Sequence, residues 1–374
     1  MADKHLHIIS HFSPRPFDYE GGSDLFWMVK SLITSGIKIH LHLYCEKEFI
    51  HNDLINNCAE VLFYKRNTGH KGISIGIPYS VSSRADKTLI FNLERDLHPI
   101  LFEGVQSSFF MYQGYFKNRK ILIRLQCSQK MYFQELNQIQ PTSIKKIATT
   151  IEGSLCGVYE KVLIKTVNCN TISKNIADEL EGCSVENIKS IIPQFIGMAY
   201  PLGLEGNGSF CLFHGRLSEK ATEIAALWLL NNVFNTLELP LVIAGEKPSA
   251  MLEDAAHRQM HTCLVTDPTE KEMTELIRKA QLNILPSFVS HGADNAILQS
   301  IMLGRHVVTN RKSQTNSNFG DILNYADDSK EFIETTKQLF DQTFTQNDKD
   351  LREFYLNKEY NDVLGAKKLL KLLY

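Results

Sequence analysis

The chain has no CxxC pair and no cluster of cysteine and histidine at metal-ligand spacing, which removes the usual zinc-site and redox-motif readings. Its eight cysteines (45, 58, 127, 156, 169, 183, 211 and 263) are scattered, several of them inside apolar runs. A free thiol there behaves as a small hydrophobe, so a reduced protein without a structural metal is expected. No apolar run approaches the roughly 20 residues that cross a bilayer. The opening MADKHLHIISHF has too short an apolar stretch, and no small-residue cleavage site, for a secretory signal. A cytoplasmic location is expected, with peripheral contact with a membrane left open. An excess of one charge is also missing. The 40 Lys+Arg and 42 Asp+Glu leave a formal net charge of −2, so there is no electrostatic case for a nucleic-acid partner. Solenoid repeats and low-complexity tracts are absent as well.

What is present is a rhythm. At 374 residues, 43% of them apolar, the chain exceeds one ordinary core, and two domains are expected. Residues 209–310 carry the clearest pattern: short apolar runs, each followed by a polar turn and a helical stretch (SFCLFHGRLSEKATEIAALWLLNNVF, PLVIAGEKPSAML, EMTELIRKAQLNILPSF, HGADNAILQSIMLGRHVVTN). That alternation predicts an α/β domain with a parallel sheet and crossover helices. Its ligand turns would lie at the carboxyl ends of the strands, at Gly215-Arg216, Gly245-Glu246-Lys247 and Ser287 through Gln299.

The first half repeats the pattern less cleanly. Strands are predicted at His5 to His11, Ile37 to Tyr44, Glu60 to Lys65, Pro99 to Phe102, Ile121 to Leu125 and Asn168 to Ile172. Helices are predicted from a Ser23 cap to Ser35, with Gly36 closing it, over 83–96 and over 142–165, and from a Ser173 cap to near Gly182. The Gly- and Pro-rich stretch PQFIGMAYPLGLEGNG breaks the period and reads as a linker. The expected division is an N-terminal Rossmann-like domain over 1–194, a linker over 195–208, a second Rossmann-like domain over 209–345, and C-terminal helices over 346–374. His5, His7, His40 and His42 alternate on strands without a carboxylate at a meaningful spacing, and a core or surface role is expected for each.

The segments HGRLSEK, LVIAGEKP, EMTELIRKAQLNILPS, HGADNAILQS and GRHVVTN resemble the donor half of family-4-type glycosyltransferases with the GT-B fold. The stretch PFDYEGGSDLFWMVKSLITSGIKIHLHLY is similar to the acceptor-side loop, helix and second strand of such enzymes, bacterial ones in particular. The resemblance implies two doubly wound parallel-sheet domains facing across a cleft, with the C-terminal helices returning to the first. It also implies sugar transfer from a nucleotide-sugar donor to a glycan or lipid-linked acceptor, with retention, and with neither cofactor nor metal.

On that reading Arg216 and Lys220 stabilise the departing diphosphate, His291 and Asp294 meet the sugar, and Gln299 holds the ribose. Gly215, Gly245, Glu246, Ser287, Gly292 and Asn295 complete the donor side, with Thr266-Asp267-Pro268 near the nucleobase. Gly21, Gly22, Gln106, Arg124 and Gln126 form the acceptor side. Cations at a helix start oppose the helix dipole, which favours a functional role for Arg216 and Lys220 over plain solvation. Lys220 follows Arg216 by four residues, whereas five or six is commoner in the resembled family. His291 and Gln299 stand where that family has two glutamates eight residues apart. Gln106, Gln126 and Gln129 stand where bacterial relatives carry histidines. Arg124 reads equally as a structural ion-pair partner and as a phosphate contact. These replacements keep a second class open: a degenerate relative that binds nucleotide, sugar or a partner without turnover. A sugar-nucleotide epimerase of the same fold is a third, which the missing acidic pairs do not support.

Overall fold

The computed structural model describes residues 3–17, 21–45, 51–172, 174–181, 188–197, 202–290, 294–313 and 319–374. Contacts divide the chain into one unit of Met1–Gln134, Ser143–Gly197 and Tyr360–Tyr374, and a second of Glu135–Thr142 and Met198–Glu359. The first unit holds strands β1 (His5–Ser10), β2 (Lys38–Leu43), β3 (Glu60–Phe63), β4 (Ile100–Glu103), β5 (Ile121–Leu125), β6 (Asn168–Thr171) and β7 (Ile188–Ile191). They pair in the order β3-β2-β1-β4-β5-β6-β7. The second holds β8 (Cys211–Gly215), β9 (Leu241–Gly245), β10 (Thr262–Thr266), β11 (Leu282–Ile284), β12 (His306–Thr309) and β13 (Asn324–Tyr325), in the order β10-β9-β8-β11-β12-β13. Every pairing is parallel. Both orders reverse once, between β1 and β4 and between β8 and β11, and such a reversal opens a crevice at the strands' carboxyl ends.

The expected strands are present because their apolar runs are buried on both faces, as crossover helices require. Leu6, Ile8, Leu101 and Leu122 face one core of the first sheet, and Ile9, Ile100, Phe102 and Ile123 face the other. The pairing strands β7 and β13 were not expected from the sequence. The chain forms two short helices here, Tyr79–Ser82 and Thr88–Leu93, and only the second lies within the expected 83–96. The Asp86 carboxylate accepts the Thr88 amide at 3.0 Å and starts the second one afresh. Ser23 does not cap the first helix, Gly22–Thr34; its hydroxyl donates to the Pro16 carbonyl at 3.0 Å. The Ser173 cap lies outside the described residues.

The C-terminal return is shorter than the expected 346–374. Helix Gln346–Glu359 groups with the second unit, because the buried Arg352 donates to the carbonyls of Ile301 (3.2 Å), Gly304 (2.6 Å) and Arg305. Helix Asp362–Leu373 belongs to the first unit, where Ala366, Leu369 and Leu373 enter the core. Its Asp362 carboxylate accepts the amides of Ile196 (3.1 Å) and Gly197 (2.8 Å).

The strand histidines form a chain rather than isolated core residues. Register pairs His7 with His40, so the four share one face. His7 Nε2 lies 3.0 Å from Asp96 Oδ1, a carboxylate partner that sequence spacing hides. A carboxylate only accepts, so Nε2 carries the proton, and His7 Nδ1 accepts from His42 Nε2 at 2.8 Å. His42 Nδ1 in turn accepts from the Tyr64 hydroxyl at 2.7 Å. Both rings are therefore neutral. Burial lowers His7 to about 4, against the pull of Asp96, and burial likewise holds His42 well below the usual range.

The unfolded chain protonates these rings below about pH 6.5 while the native state resists. Stability is then expected to be full above pH 6.5 and to fall as pH drops from 6.5 towards 4. The loss from His7 alone is roughly 3 kcal/mol. Urea unfolding between pH 4 and 8 measures it. A profile flat across that window, or one unchanged in His7→Gln, contradicts the assignment.

Candidate functional site

In the first unit, the expected acceptor-side residues meet at the ends of β1, β4 and β5. Arg124 is wholly buried on β5. Its guanidinium donates to Asp24 (2.6 and 3.0 Å), Glu103 (2.7 Å) and the Pro193 carbonyl (3.3 Å). The guanidinium is thus committed to partners inside the unit. Burial alone would lower its pKa, but Asp24 and Glu103 more than offset that and hold it charged. Burial pushes Glu103 up despite Arg124, consistent with its Oε2 having no hydrogen-bond partner. Gln126 Nε2 donates to Asp24 (3.2 Å) and Glu103 (2.9 Å), so its amide is bound into the same network.

Two glycines follow from this packing. A Cβ on Gly21 would lie 2.6 Å from Gln126 Oε1 and 2.8 Å from the Phe12 ring. Gly22, expected beside it, is buried as the first residue of helix Gly22–Thr34. Gly104, which ends β4 at φ +74°, would place a Cβ 2.8 Å from Gln106 Oε1 and 3.0 Å from the His11 ring. His11, which follows β1, lies beside Gln106 around Gly104 and carried no signal in the sequence. Burial, then the nearby Arg84 and Arg66, keep its imidazole neutral.

In the second unit the turns after β8, β9 and β10 are stitched by backbone. The Ser218 amide donates to the Glu246 carbonyl (3.1 Å) and the Asp267 amide to the Gly245 carbonyl (3.0 Å). The Lys247 amide donates to Asp267 Oδ1 (3.0 Å). Gly215 and Gly245 are register partners. A Cβ on Gly245 would run into the Gly215 carbonyl and lie 2.8 Å from Leu217 Cγ, so only glycine fits. Lys247 (φ +49°) and Asp267 (φ +48°) hold left-handed conformations that non-glycine residues seldom adopt. Strain of that kind concentrates at ligand sites.

Arg216 is half-buried at the β8 turn, just before helix Lys220–Asn232. Lys220 is tied down: its ammonium donates to Glu223 at 2.5 Å, and the buried Glu223 also accepts from the Ser249 hydroxyl. Glu246 is exposed. The polar atoms of Ser287 are engaged internally. Its amide donates to Asn310 Oδ1 (2.8 Å), its hydroxyl to the Val289 carbonyl (2.7 Å), and its carbonyl accepts Asn310 Nδ2 (2.7 Å). Asp294 and Asn295 open helix Asp294–Leu303, with Gln299 buried further along it. His291 and Gly292 lie outside the described residues. From the same helix, Ser300 bonds the buried His214 of β8 at 2.8 Å, and burial lowers that imidazole to about 3. Within this unit the Glu135 carboxylate accepts the Ser290 amide (2.5 Å) and hydroxyl (3.1 Å), fixing Ser290. Neither His214 nor Glu135 carried a signal in the sequence. Among the described residues no group of three or more His, Cys, Asp or Glu could hold a metal ion.

Two doubly wound parallel sheets, each with its glycine-lined turns at the strand ends, define the GT-B fold. No protein-family profile matches the sequence, and no curated protein matches it. Solved structures do match. TarM is 11% identical over 100% of this chain and 99% of its own, with a TM-score of 0.67. Anabaena HepE, solved with UDP and glucose, is 10% identical over 99% of each chain, with a TM-score of 0.66. A glycosyltransferase from Rickettsia africae is 10% identical over 100% of this chain and 98% of its own, with a TM-score of 0.63. At that identity the likeness establishes the fold.

Replacing Arg124 with methionine leaves two buried acids facing each other without their cation. The expected loss is about 3–5 kcal/mol of stability, the usual cost of breaking a buried ion pair. Urea unfolding of Arg124→Met checks it. A loss under about 1 kcal/mol would mean that the network does not hold the unit together.

Proposed function

We propose that this chain is a glycosyltransferase that moves a sugar from a nucleotide-diphosphate donor to a glycan or lipid-linked acceptor. The observation that carries this reading is Arg216, placed at the first turn after β8, at the switch point of the second sheet and at a helix start. A guanidinium and free helix amides there suit the oxygens of a departing diphosphate. HepE, with the same fold, was solved with UDP and glucose, which supports a uridine nucleotide as the first donor to test. Arg216 and the helix terminus supply positive charge, so the reading calls for no metal ion. Lys220 contributes less than a free ammonium would, because Glu223 holds it.

In the proposed step the bond from the sugar's anomeric carbon to the diphosphate breaks and the acceptor hydroxyl bonds to that carbon on the same face. The hydroxyl proton passes to a departing phosphate oxygen, which is why no side-chain base is required. Neutral His11, beside Gln106, is suited to accept a hydrogen bond from a sugar hydroxyl on the acceptor side.

A second reading, binding without turnover, is favoured by one observation. Gln299 is a buried amide where the resembled family carries a carboxylate. Titration calorimetry with UDP- and GDP-sugars, followed by donor hydrolysis and transfer assays, separates the two. Binding with turnover supports transfer; binding without turnover across a donor panel supports the second reading. Arg216→Ala is expected to fold normally and to lose about 10²–10³ in turnover, as when an electrostatic stabiliser is removed. Unchanged turnover would exclude that role.

A further inference from the structure

The longest helix of the first unit, Ile144–Thr166, is apolar on both sides. Its inner side is accounted for: Gly153, Cys156, Gly157, Tyr159, Leu163 and Ile164 are buried. A Cβ on Gly153 would meet Phe133 at 2.7 Å, and one on Gly157 would meet Lys130 at 2.9 Å, so helix Gln129–Ile139 closes that side. Its outer side is not covered. Ile144 is 86% exposed, Ile147 61%, Ile151 57%, Val158 59% and Val162 40%. Their spacings of 3, 4, 7 and 4 fall on one face opposite the buried set, a stripe that a solvated helix would fill with polar residues. At 1.5 Å per residue it runs about 30 Å along the surface.

A loop beside the helix exposes further apolar side chains. Glu152 accepts the amides of Tyr79 and Ser80, both at 2.8 Å. That brings the segment before Tyr79 against the helix, and this segment exposes Ile73 (67%) and Ile75 (100%). The charges around the stripe are sorted. Both acids of the helix turn inward, Glu152 to those amides and Glu160 to the amide of Gln129 at 2.6 Å. Lys161 and Lys165, which flank the stripe, stay exposed, and no salt bridge among the described residues engages them.

We propose that this face is a docking surface for an anionic lipid bilayer, with the helix lying in the interfacial plane. Isoleucine and valine enter the headgroup–acyl boundary while the lysines meet the negative surface. The charge sorting selects this occupant over a second copy of the chain: two such faces apposed would bring lysines against lysines with no acid between them. No described helix is long and apolar enough to cross the membrane, so the attachment is peripheral. The inference stands on this face alone and does not depend on turnover or on nucleotide binding.

Co-sedimentation of the full chain with vesicles of phosphatidylcholine, with and without 30% phosphatidylglycerol, tests it. Binding is expected to the anionic vesicles, to weaken at high salt, and to be weak or absent with phosphatidylcholine alone. Ile147→Glu/Ile151→Glu should abolish it, and Lys161→Ala/Lys165→Ala should weaken it about tenfold or more. Circular dichroism and the thermal midpoint show that each variant is folded. Failure of the native chain to bind anionic vesicles overturns the proposal, as does undiminished binding by the folded glutamate variant. So does a dimer in sedimentation velocity that the glutamate variant dissociates while vesicle binding is absent.

Discussion

The first unit depends on a guanidinium placed where a parallel sheet usually puts an aliphatic side chain. Arg124 has no exposure, and a lone charge at that depth would cost several kcal/mol in desolvation. Asp24 from the first helix and Glu103 from the neighbouring strand make it tolerable. The consequences spread outward. Asp24 also accepts the Phe195 amide at 2.8 Å, so one carboxylate joins the first helix to the segment that the C-terminal helix covers. Two acids against one cation leave an excess negative charge, and the raised affinity of Glu103 for a proton relieves it. The excess charge is thus met by a proton on Glu103 and not by a second cation, while Glu103 Oε2 and Arg124 Nε stay without hydrogen-bond partners.

The second unit solves the same problem with backbone. Its strand-end turns hold one another through amide and carbonyl groups, with Gly215 and Gly245 brought so close that no side chain fits between them. Two left-handed residues store strain there, each costing on the order of 1–3 kcal/mol unless its surroundings impose it. The Lys247–Asp267 hydrogen bond is one such imposition. A ligand reaching the first unit's strand ends would meet side chains tuned by burial, such as His11. At the second unit's strand ends it would meet amides, a helix start and Arg216. The second environment is the one suited to phosphate oxygens.

Much of this was legible in the sequence because burial on both faces writes itself as continuous apolar runs. The strands ending in Gly215 and Gly245 are of that kind. What could not be read depends on register and long-range proximity. Asp24 and Arg124 are 100 residues apart, and His7 and Asp96 are 89 apart. Only the order β2-β1-β4-β5 brings them together. The histidine alternation was visible, but its hydrogen-bond chain was not. The ion pair of Lys220 with Glu223, three residues on, was a local contact that the sequence reading did not anticipate.

The glutamines deserve a different weight once the network is known. A histidine at position 126 would face Asp24 and Glu103 beside Arg124, and in such company it would be drawn towards protonation. It would then add a second buried cation to a cluster that already balances through Glu103. An amide donates to both acids without charge, as Gln126 does. Its presence therefore has a structural cause and says little about lost catalysis. At the neighbouring strand end a half-buried, neutral His11 stands beside Gln106, contributed by the turn after β1 rather than by the β4 turn. Gln126 thus serves the first unit's ionic core without adding charge. The buried amide of Gln299 belongs to the second unit and to a different problem: it stands where the resembled family carries a carboxylate.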